Sequence, residues 1–203
     1  MAGKLKIQTF SDGTGSIGIA PGFTLADQKR DSIIIKGPSG TQVALGQYGS
    51  LIVPQAVQFG AEQHFTVTRD LSNPLQATAD FVDQLGRKSG QQLRLKVLEQ
   101  KAIPGQGGMR AVALRYRIEG SAPFEGFGFF AAGPVGSGMG QSYASYIGAP
   151  NAATFKRYAP AMLAMWKSRK TNMGHKAFTD VPVEIAERME TMRLQAIEVR
   201  KLL

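Results

Sequence analysis

The sequence predicts an α/β sandwich, mainly because of the order of elements between Met109 and Lys170. Alternation of apolar and polar residues there predicts two strands, a glycine-rich connection, a further strand and one apolar-striped helix. An earlier helix, the first along the chain, is predicted near its middle, where Asn73 suits an N-cap and Pro74 the first helical position. The length of 203 residues suits one large domain, or a domain of about 150–170 residues with an appendage.

The first half of the chain predicts strands separated by strong turn signals. Residues 4–10 and 16–20 flank a short polar and glycine-rich segment, which is the composition of a hairpin. The β-branched run 33–35 predicts a buried strand. Residues 37–40 predict a turn, and residues 42–54 supply one long strand or two short ones.

The second half predicts further strands around the first helix. Strands are expected over residues 92–100, 109–119, 124–132 and 142–148, and the glycine-rich residues 133–140 are interpreted as a flexible connection. The helix that begins at Pro74 is predicted to bury Leu75, Ala79, Val82 and Leu85.

The second helix is predicted to begin after Asn151, a plausible N-cap. Its buried stripe is expected to contain Phe155, Tyr158, Ala159, Met162, Leu163 and Trp166. Pro160 lies inside this pattern and lacks the N–H that a helix interior needs. We therefore expect a kink at Pro160, or two short helices that meet there.

The C-terminal part predicts a linker and a third helix, from about Pro182 to Leu203, which Asp180 can cap. Its apolar positions have heptad spacing, which suits a homodimer seam, a partner-docking face or packing on the chain's own domain. The predicted seam residues are Ile185, Met189, Met192, Val199 and Leu203. The predicted domains are therefore residues 1–170 for the sandwich and 171–203 for the linker and amphipathic helix.

The net charge of +9 is unevenly distributed, because no acidic residue lies between Glu125 and Asp180. The cations of this acid-free window are Lys156, Arg157, Lys167, Arg169, Lys170 and Lys176. A basic surface of this kind attracts an acidic protein, an anionic membrane surface or nucleic acid. The alternative is a protein of high pI with no dedicated anionic partner. No apolar run approaches the roughly 20 residues of a membrane-spanning helix.

A second basic group is predicted on the sheet. Arg94 and Lys96 alternate with apolar residues in one strand, and Arg115 and Arg117 do so in another. If the two strands are neighbours, the four side chains form a basic sheet face that suits single-stranded nucleic acid. Alternatively, their aliphatic stems cover the sheet under another element.

Three segments match motifs for catalysis or phosphate binding, but the residues around each match do not fit the structure that the motif requires. The GxGxxG match at residues 13–18 precedes Pro21, so no helix can follow to meet a pyrophosphate. Residues 133–140 lack the Gly-Lys-Ser/Thr end of a P-loop. Ser142 resembles a nucleophile elbow, but an extended segment follows it instead of a helix. A hydrolase acting near Ser142 is therefore only an alternative, with His175 and Asp180 later in the chain.

The composition and spacing of cysteine, histidine and acidic residues do not indicate a metal site or a catalytic site. The chain has no cysteine, which excludes disulfides, thiolate catalysis and Cys-based zinc sites. Its two histidines, His64 and His175, are far apart and lack an i,i+4 partner. The carboxylates are scattered, so no acid/base pair stands out. We expect no catalytic residue, no metal and no cofactor.

Residues 110–170 resemble the closing half of the PsbP-like fold family. The similarity lies in residues 111–116, in the Gly-Phe-Gly-Phe-Phe strand at 126–130, and in the helix end Trp-Lys-Ser at 166–168. Residues 19–23 are similar to the family's Pro-Gly-aromatic turn. The family includes the extrinsic subunit P of photosystem II, a Ran-binding nuclear import factor and bacterial lipoproteins of unassigned role.

This resemblance implies an α+β fold in which helices cover both faces of an antiparallel sheet of six or more strands. It also implies a bacterial, non-enzymatic binding or assembly module that docks on a larger protein complex. The first six residues, Met-Ala-Gly-Lys-Leu-Lys, lack the apolar region of a signal peptide. We therefore expect either a cytoplasmic protein or a periplasmic one whose signal peptide has been removed.

Overall fold

The computed structural model describes residues 4–29, 32–57, 64–105 and 107–171, which belong to one compact unit. The strands are β1 (Lys6–Thr9), β2 (Gly15–Ile19), β3 (Thr24–Lys29), β4 (Ser32–Lys36), β5 (Gln42–Ile52), β6 (Thr66–Val67), β7 (Leu93–Ile103), β8 (Arg110–Gly120), β9 (Phe124–Gly136), β10 (Met139–Ala149) and β11 (Lys170–Thr171). The helices are α1 (Pro74–Lys88) and α2 (Ala152–Ser168). The predictions that lie outside the described residues are the linker, the C-terminal helix, His175, Lys176, Asp180, Ile185, Met189, Met192, Val199 and Leu203.

The main sheet is large and almost entirely antiparallel. Its strand order is β3-β4-β5-β10-β9-β8-β7, and β6 pairs in parallel with β5 beside this path. The long strands β7 to β10 form consecutive hairpins, so most of the pairing joins neighbours in sequence. The predicted α+β class, with an antiparallel sheet of more than six strands, is confirmed.

A second, small sheet joins the N-terminal hairpin to the end of α2. β1 and β2 pair in antiparallel register, and β11 pairs with the other edge of β2. The predicted hairpin is therefore confirmed. The GxGxxG match lies in its turn and in β2, where no helix follows.

The two helices cover opposite faces of the main sheet. Leu75 of α1 packs against the buried cluster that contains Phe130, whereas Trp166 of α2 packs against Phe129. Phe129 and Phe130 are adjacent in β9, and adjacent strand residues point to opposite faces. The α/β/α layering that the resemblance implied is therefore present in the described part of the chain.

Helix α1 begins as predicted, but its buried face differs from the predicted stripe. The Asn73 side chain accepts a hydrogen bond from the N–H of Gln76, which confirms the N-cap. Val82 is buried as expected. The prediction for Leu85 is wrong, because 45% of this residue is exposed. The helix instead buries small and polar residues, among them Gln84, against its neighbours.

Helix α2 is one continuous helix from Ala152 to Ser168, so the alternative of two short helices is wrong. The Asn151 side chain accepts a hydrogen bond from the N–H of Thr154, which confirms the predicted cap. Pro160 is exposed within this helix. The buried residues are Phe155, Ala159, Met162, Leu163, Met165 and Trp166, while the predicted stripe residue Tyr158 is half-buried.

The glycine-rich segment 133–140 connects two strands, as predicted, but it does so through a tight hairpin instead of a loop of eight residues. β9 continues to Gly136 and β10 begins at Met139, which leaves a two-residue turn. Ser137 and Gly138 both have positive φ, 49° and 74°, as the favoured two-residue hairpin turn requires. The glycine backbone is paired between strands and does not form a phosphate cradle.

Candidate functional site

The outer face of α2 carries the predicted basic window. Lys156, Arg157 and Lys167 are exposed, and the helix contains no acidic residue. Lys156 and Lys167 are eleven residues apart, which places them about 16 Å apart along the axis and nearly in line. The described helix therefore presents a positive strip to solvent.

Aromatic packing holds the first half of this strip in place. The guanidinium carbon of Arg157 lies 5.4 Å from the centroid of the Tyr158 ring. That ring meets Phe23 edge to face, with the centroids 6.2 Å apart, and Phe23 is buried. A Cβ at Gly37 would collide with the Phe23 ring, so glycine is needed there. The Pro-Gly-aromatic turn at residues 19–23 thus positions Arg157.

The second half of the strip is fixed by Ser168 at the end of α2. Its hydroxyl accepts a hydrogen bond from the N–H of Gly18 at 2.8 Å and donates to the Met165 carbonyl at 2.7 Å. Lys170 follows in β11 and is exposed, whereas Arg169 is half-buried. The structure therefore places four of the six predicted cations on the surface.

The second predicted group lies on the α2 side of the sheet, but carboxylates accompany it. Lys96 forms an ion pair with Glu119 at 3.2 Å, and Arg94 lies opposite the same glutamate in the β7–β8 register. Arg115 contacts Glu99 at 3.4 Å. The four cations therefore do not form a bare basic face.

A buried carboxylate lies at the centre of this group. Glu125 is 2% exposed and binds Arg117 at 2.9 Å and Arg115 at 3.2 Å. The hydrogen bond and the charge of Glu125 raise the pKa of Arg117 above its ordinary value. In each of these ion pairs the glutamate lies on a neighbouring strand, so the sequence alone did not reveal the pairing.

Ser142 does not occupy a nucleophile elbow. It lies inside β10, paired with Gly49 of β5 on one side and Ala132 of β9 on the other. No helix begins beside it, so the strained strand-to-helix turn that exposes a catalytic serine is absent here. The described residues contain no cluster of three or more potential metal ligands. Neither helix of the described part of the chain has the length and hydrophobicity of a membrane span.

No family model matches the sequence, and no curated protein matches it either. Among solved structures, the chain is similar to cyanobacterial PsbP (CyanoP) from Synechocystis sp. PCC 6803. The identity is 10% and the TM-score 0.42, over 83% of this chain and 92% of that one. It is also similar to a mutant of the protein Mog1, with 12% identity and a TM-score of 0.40, over 82% of this chain and 95% of that one.

The two helical faces of the described unit differ in chemistry. The α2 face is cationic, whereas the α1 face exposes two large apolar side chains, Phe81 at 53% and Leu85 at 45%. Sequence reasoning assigned Leu85 to the core and overlooked Phe81. The available signal was their i,i+4 spacing, which widens the apolar face of α1 beyond a simple core stripe.

Proposed function

We propose that this protein is a non-enzymatic binding module that docks on an acidic protein surface through the cations of α2. The observation that carries this proposal is the strip of Lys156, Arg157 and Lys167 on a helix without acidic residues. Lys170, exposed just beyond the helix, extends the same charge toward the small sheet. A complementary acidic surface would be steered toward this strip and oriented by it.

Binding through this strip is expected to be reversible, and salt is expected to release the partner. Its cations are exposed, and exposed ion pairs contribute about 0.2–1 kcal/mol each and are screened by salt. Three contacts together correspond to roughly a three- to hundredfold change in affinity. An extrinsic subunit or assembly factor that must dissociate again requires binding of this strength.

Nucleic acid is the main alternative ligand for a basic protein. The predicted sheet face is less suited to it, because Lys96, Arg115 and Arg117 already form ion pairs with glutamates. Binding of nucleic acid to the α2 strip would show a steep salt dependence, about 0.9 log units per log unit of salt for each phosphate of duplex DNA. An anionic membrane surface would likewise bind the strip without any protein partner.

The test compares two variants of equal charge change. Lys156→Gln/Arg157→Gln/Lys167→Gln removes the strip, and Lys36→Gln/Arg69→Gln/Lys101→Gln removes three exposed cations elsewhere. Each tagged variant is purified from its native host at low salt, and proteins released by a salt step are quantified by mass spectrometry. We expect a protein partner that the wild type and the control retain, and that the strip variant loses.

Defined probes separate the competing functions. Duplex and single-stranded DNA, and vesicles containing phosphatidylglycerol, are titrated against the wild type at low salt. Tight binding to either probe, with no salt-released protein, would overturn the proposal in favour of that ligand. Covalent labelling of Ser142 by a serine-reactive probe would instead support the hydrolase alternative.

A further inference from the structure

Three segments that meet at one end of the main sheet contain no charged residue. These segments are residues 53–57 after β5, 104–109 between β7 and β8, and 133–140 between β9 and β10. The N–H of Val53 donates to the Gly138 carbonyl at 3.0 Å. A Cβ on Gly133 would lie 2.8 Å from the side chain of Met109. Segments from distant parts of the sequence thus form one uncharged surface.

Two large apolar side chains are exposed on the hairpin at this end. Val135 is 61% exposed and Met139 is 41% exposed. Met139 pairs with Gly136, and the next pair joins Pro134 to Gly140. Val135 is skipped in this register, so it is the extra residue of a β-bulge. Because a bulge redirects side chains out of the regular alternation of a strand, it accounts for the exposure of Val135.

The hairpin projects from the sheet and satisfies its own backbone. Ala132 pairs with Arg110, the first residue of β8, and β9 continues from there to Gly136, about 13 Å further on. Its strands pair up to the two-residue turn, where the Gly138 carbonyl accepts from Val53. A segment that enters lipid must satisfy its backbone groups within the protein. This projecting end meets that condition, whereas a small molecule needs a concave site.

Cations lie behind the uncharged end on both faces of the sheet. Arg110 of β8 and Lys101 of β7 are exposed. They point to opposite faces, because Lys101 pairs with Ala113, three residues after Arg110. Arg69 and Asp70, which follow β6, are exposed and together add no net charge. An apolar end with cations at its base matches a membrane, where anionic headgroups cover the apolar acyl region.

We propose that this uncharged end docks on the surface of a lipid bilayer. Val135 and Met139 enter the boundary between headgroups and acyl chains, and Arg110 contacts anionic headgroups. The 11 residues of β10 run from this end toward the start of α2 and span about 36 Å. Lys156 and Arg157 therefore lie toward the opposite end of the sheet, so this surface is separate from the start of the α2 strip.

A fluorescent label at the turn tests the inference. The chain has no cysteine, so Ser137→Cys provides a single site for an environment-sensitive nitrobenzoxadiazole label. Ser39→Cys is the matched control, since Ser39 is also an exposed turn serine with positive φ. It precedes β5, whereas the end of β5 pairs with Met139. We expect vesicles of phosphatidylcholine and phosphatidylglycerol to raise the fluorescence at position 137 at least twofold, with a blue shift, and to leave position 39 unchanged.

Matched variants that carry the label at position 137 identify the apolar contacts. Val135→Gln/Met139→Gln should weaken vesicle binding at least tenfold, because two apolar side chains no longer enter the bilayer. Phe81→Gln/Leu85→Gln removes two exposed apolar side chains of α1 and should not weaken it. Circular dichroism and urea unfolding verify that each variant is folded.

The contribution of Arg110 is measured with two lipid compositions. Arg110→Gln should weaken binding to the mixed vesicles about fivefold, and should leave binding to phosphatidylcholine alone unchanged. Lys36→Gln is the control, because Lys36 is exposed and pairs with Gln42 at the other end of β5. It should change neither value.

Three results with vesicles would overturn the inference. These are no response of the label at position 137, equal responses at positions 39 and 137, and equal weakening in the two apolar double variants. A response at position 137 to a membrane-free host extract, but not to vesicles, would mean that a protein covers this end, and would also overturn it. Phosphatidylcholine vesicles carry no net charge to attract the α2 strip, so the docking proposal and this inference fail separately.

Discussion

The guanidinium of Arg117 donates a hydrogen bond of 2.9 Å to the carboxylate of Glu125 on the neighbouring strand. Arg115 donates to the other carboxylate oxygen at 3.2 Å. Glu125 is 2% exposed, whereas the side chains of Arg115 and Arg117 are 28% and 42% exposed. One buried anion on β9 thus holds two partly hydrated cations of the adjacent strand β8. This allows a strongly basic chain to place arginines on an interior strand of its sheet, next to the edge strand β7.

Glu125→Gln should lower the free energy of unfolding by about 1–3 kcal/mol, because Arg115 and Arg117, which stay partly hydrated, lose a charged hydrogen-bond acceptor. The amide keeps the size of the side chain, so packing changes little. Urea unfolding with two-state analysis measures the loss. Glu119→Gln is the matched control, since its ion pair with Lys96 is about half exposed and should contribute less than about 1 kcal/mol. Equal losses in the two variants would contradict the buried role of Glu125.

Ser168→Ala should destabilise the junction between α2 and the small sheet. The partly buried N–H of Gly18 would lose its acceptor, which costs about 1–3 kcal/mol. Ser89→Ala is the control, because that hydroxyl also bonds to helix carbonyls but is exposed at the end of α1. Its effect should stay within about 0.5 kcal/mol. If both variants unfold at the same urea concentration, Ser168 does not hold the hairpin.

The elements that local signals define could be predicted from the sequence. The caps Asn73 and Asn151 and the apolar alternation of β8 each depend on a few neighbouring residues, and the structure confirms them. The glycine-rich residues 133–140 were predicted as a loop because glycine usually marks irregular backbone. Their strand pairing comes from the long register of β9 with β10, which composition does not show.

The candidate site could be predicted only where it lies on one element. Lys156, Arg157 and Lys167 lie within one stretch of sequence without acidic residues, and that was enough to group them. Glu125 reaches the arginines through the register of β8 with β9, and the sequence gives no sign of that contact. The exposure of Phe81 and Leu85 depends on how α1 lies over the sheet, which is a tertiary property.

Alkaline pH should destabilise the protein through two buried tyrosines. Burial raises the pKa of Tyr116 well above its ordinary value of 10.0, and burial also raises the pKa of Tyr146. The unfolded chain then loses these protons near pH 10, whereas the folded chain keeps them. The stabilising contribution is therefore complete below pH 10 and is lost as the pH rises from there toward the folded pKa values.

The measurement is the urea unfolding free energy between about pH 8 and pH 11, taken for the wild type and for Tyr116→Phe/Tyr146→Phe. The double variant should lose less stability over this interval, because phenylalanine has no proton to release. Only the slope with pH is compared, so the baseline cost of losing the Gln42–Tyr146 hydrogen bond does not enter. Parallel slopes would show that other groups cause the alkaline loss.

Pro160→Ala should raise the free energy of unfolding, because α2 continues through this position although proline supplies no N–H there. Alanine would donate to the carbonyl of Lys156, one turn earlier, and an interior proline costs a helix about 3 kcal/mol. Proline also restricts the unfolded chain, which offsets about 0.4–1 kcal/mol of the gain. We expect a net increase of about 2 kcal/mol in urea unfolding, with an unchanged dependence on urea concentration. Lower stability would instead mean that Pro160 sets a helix shape that Met162 and Trp166 need to pack on the sheet.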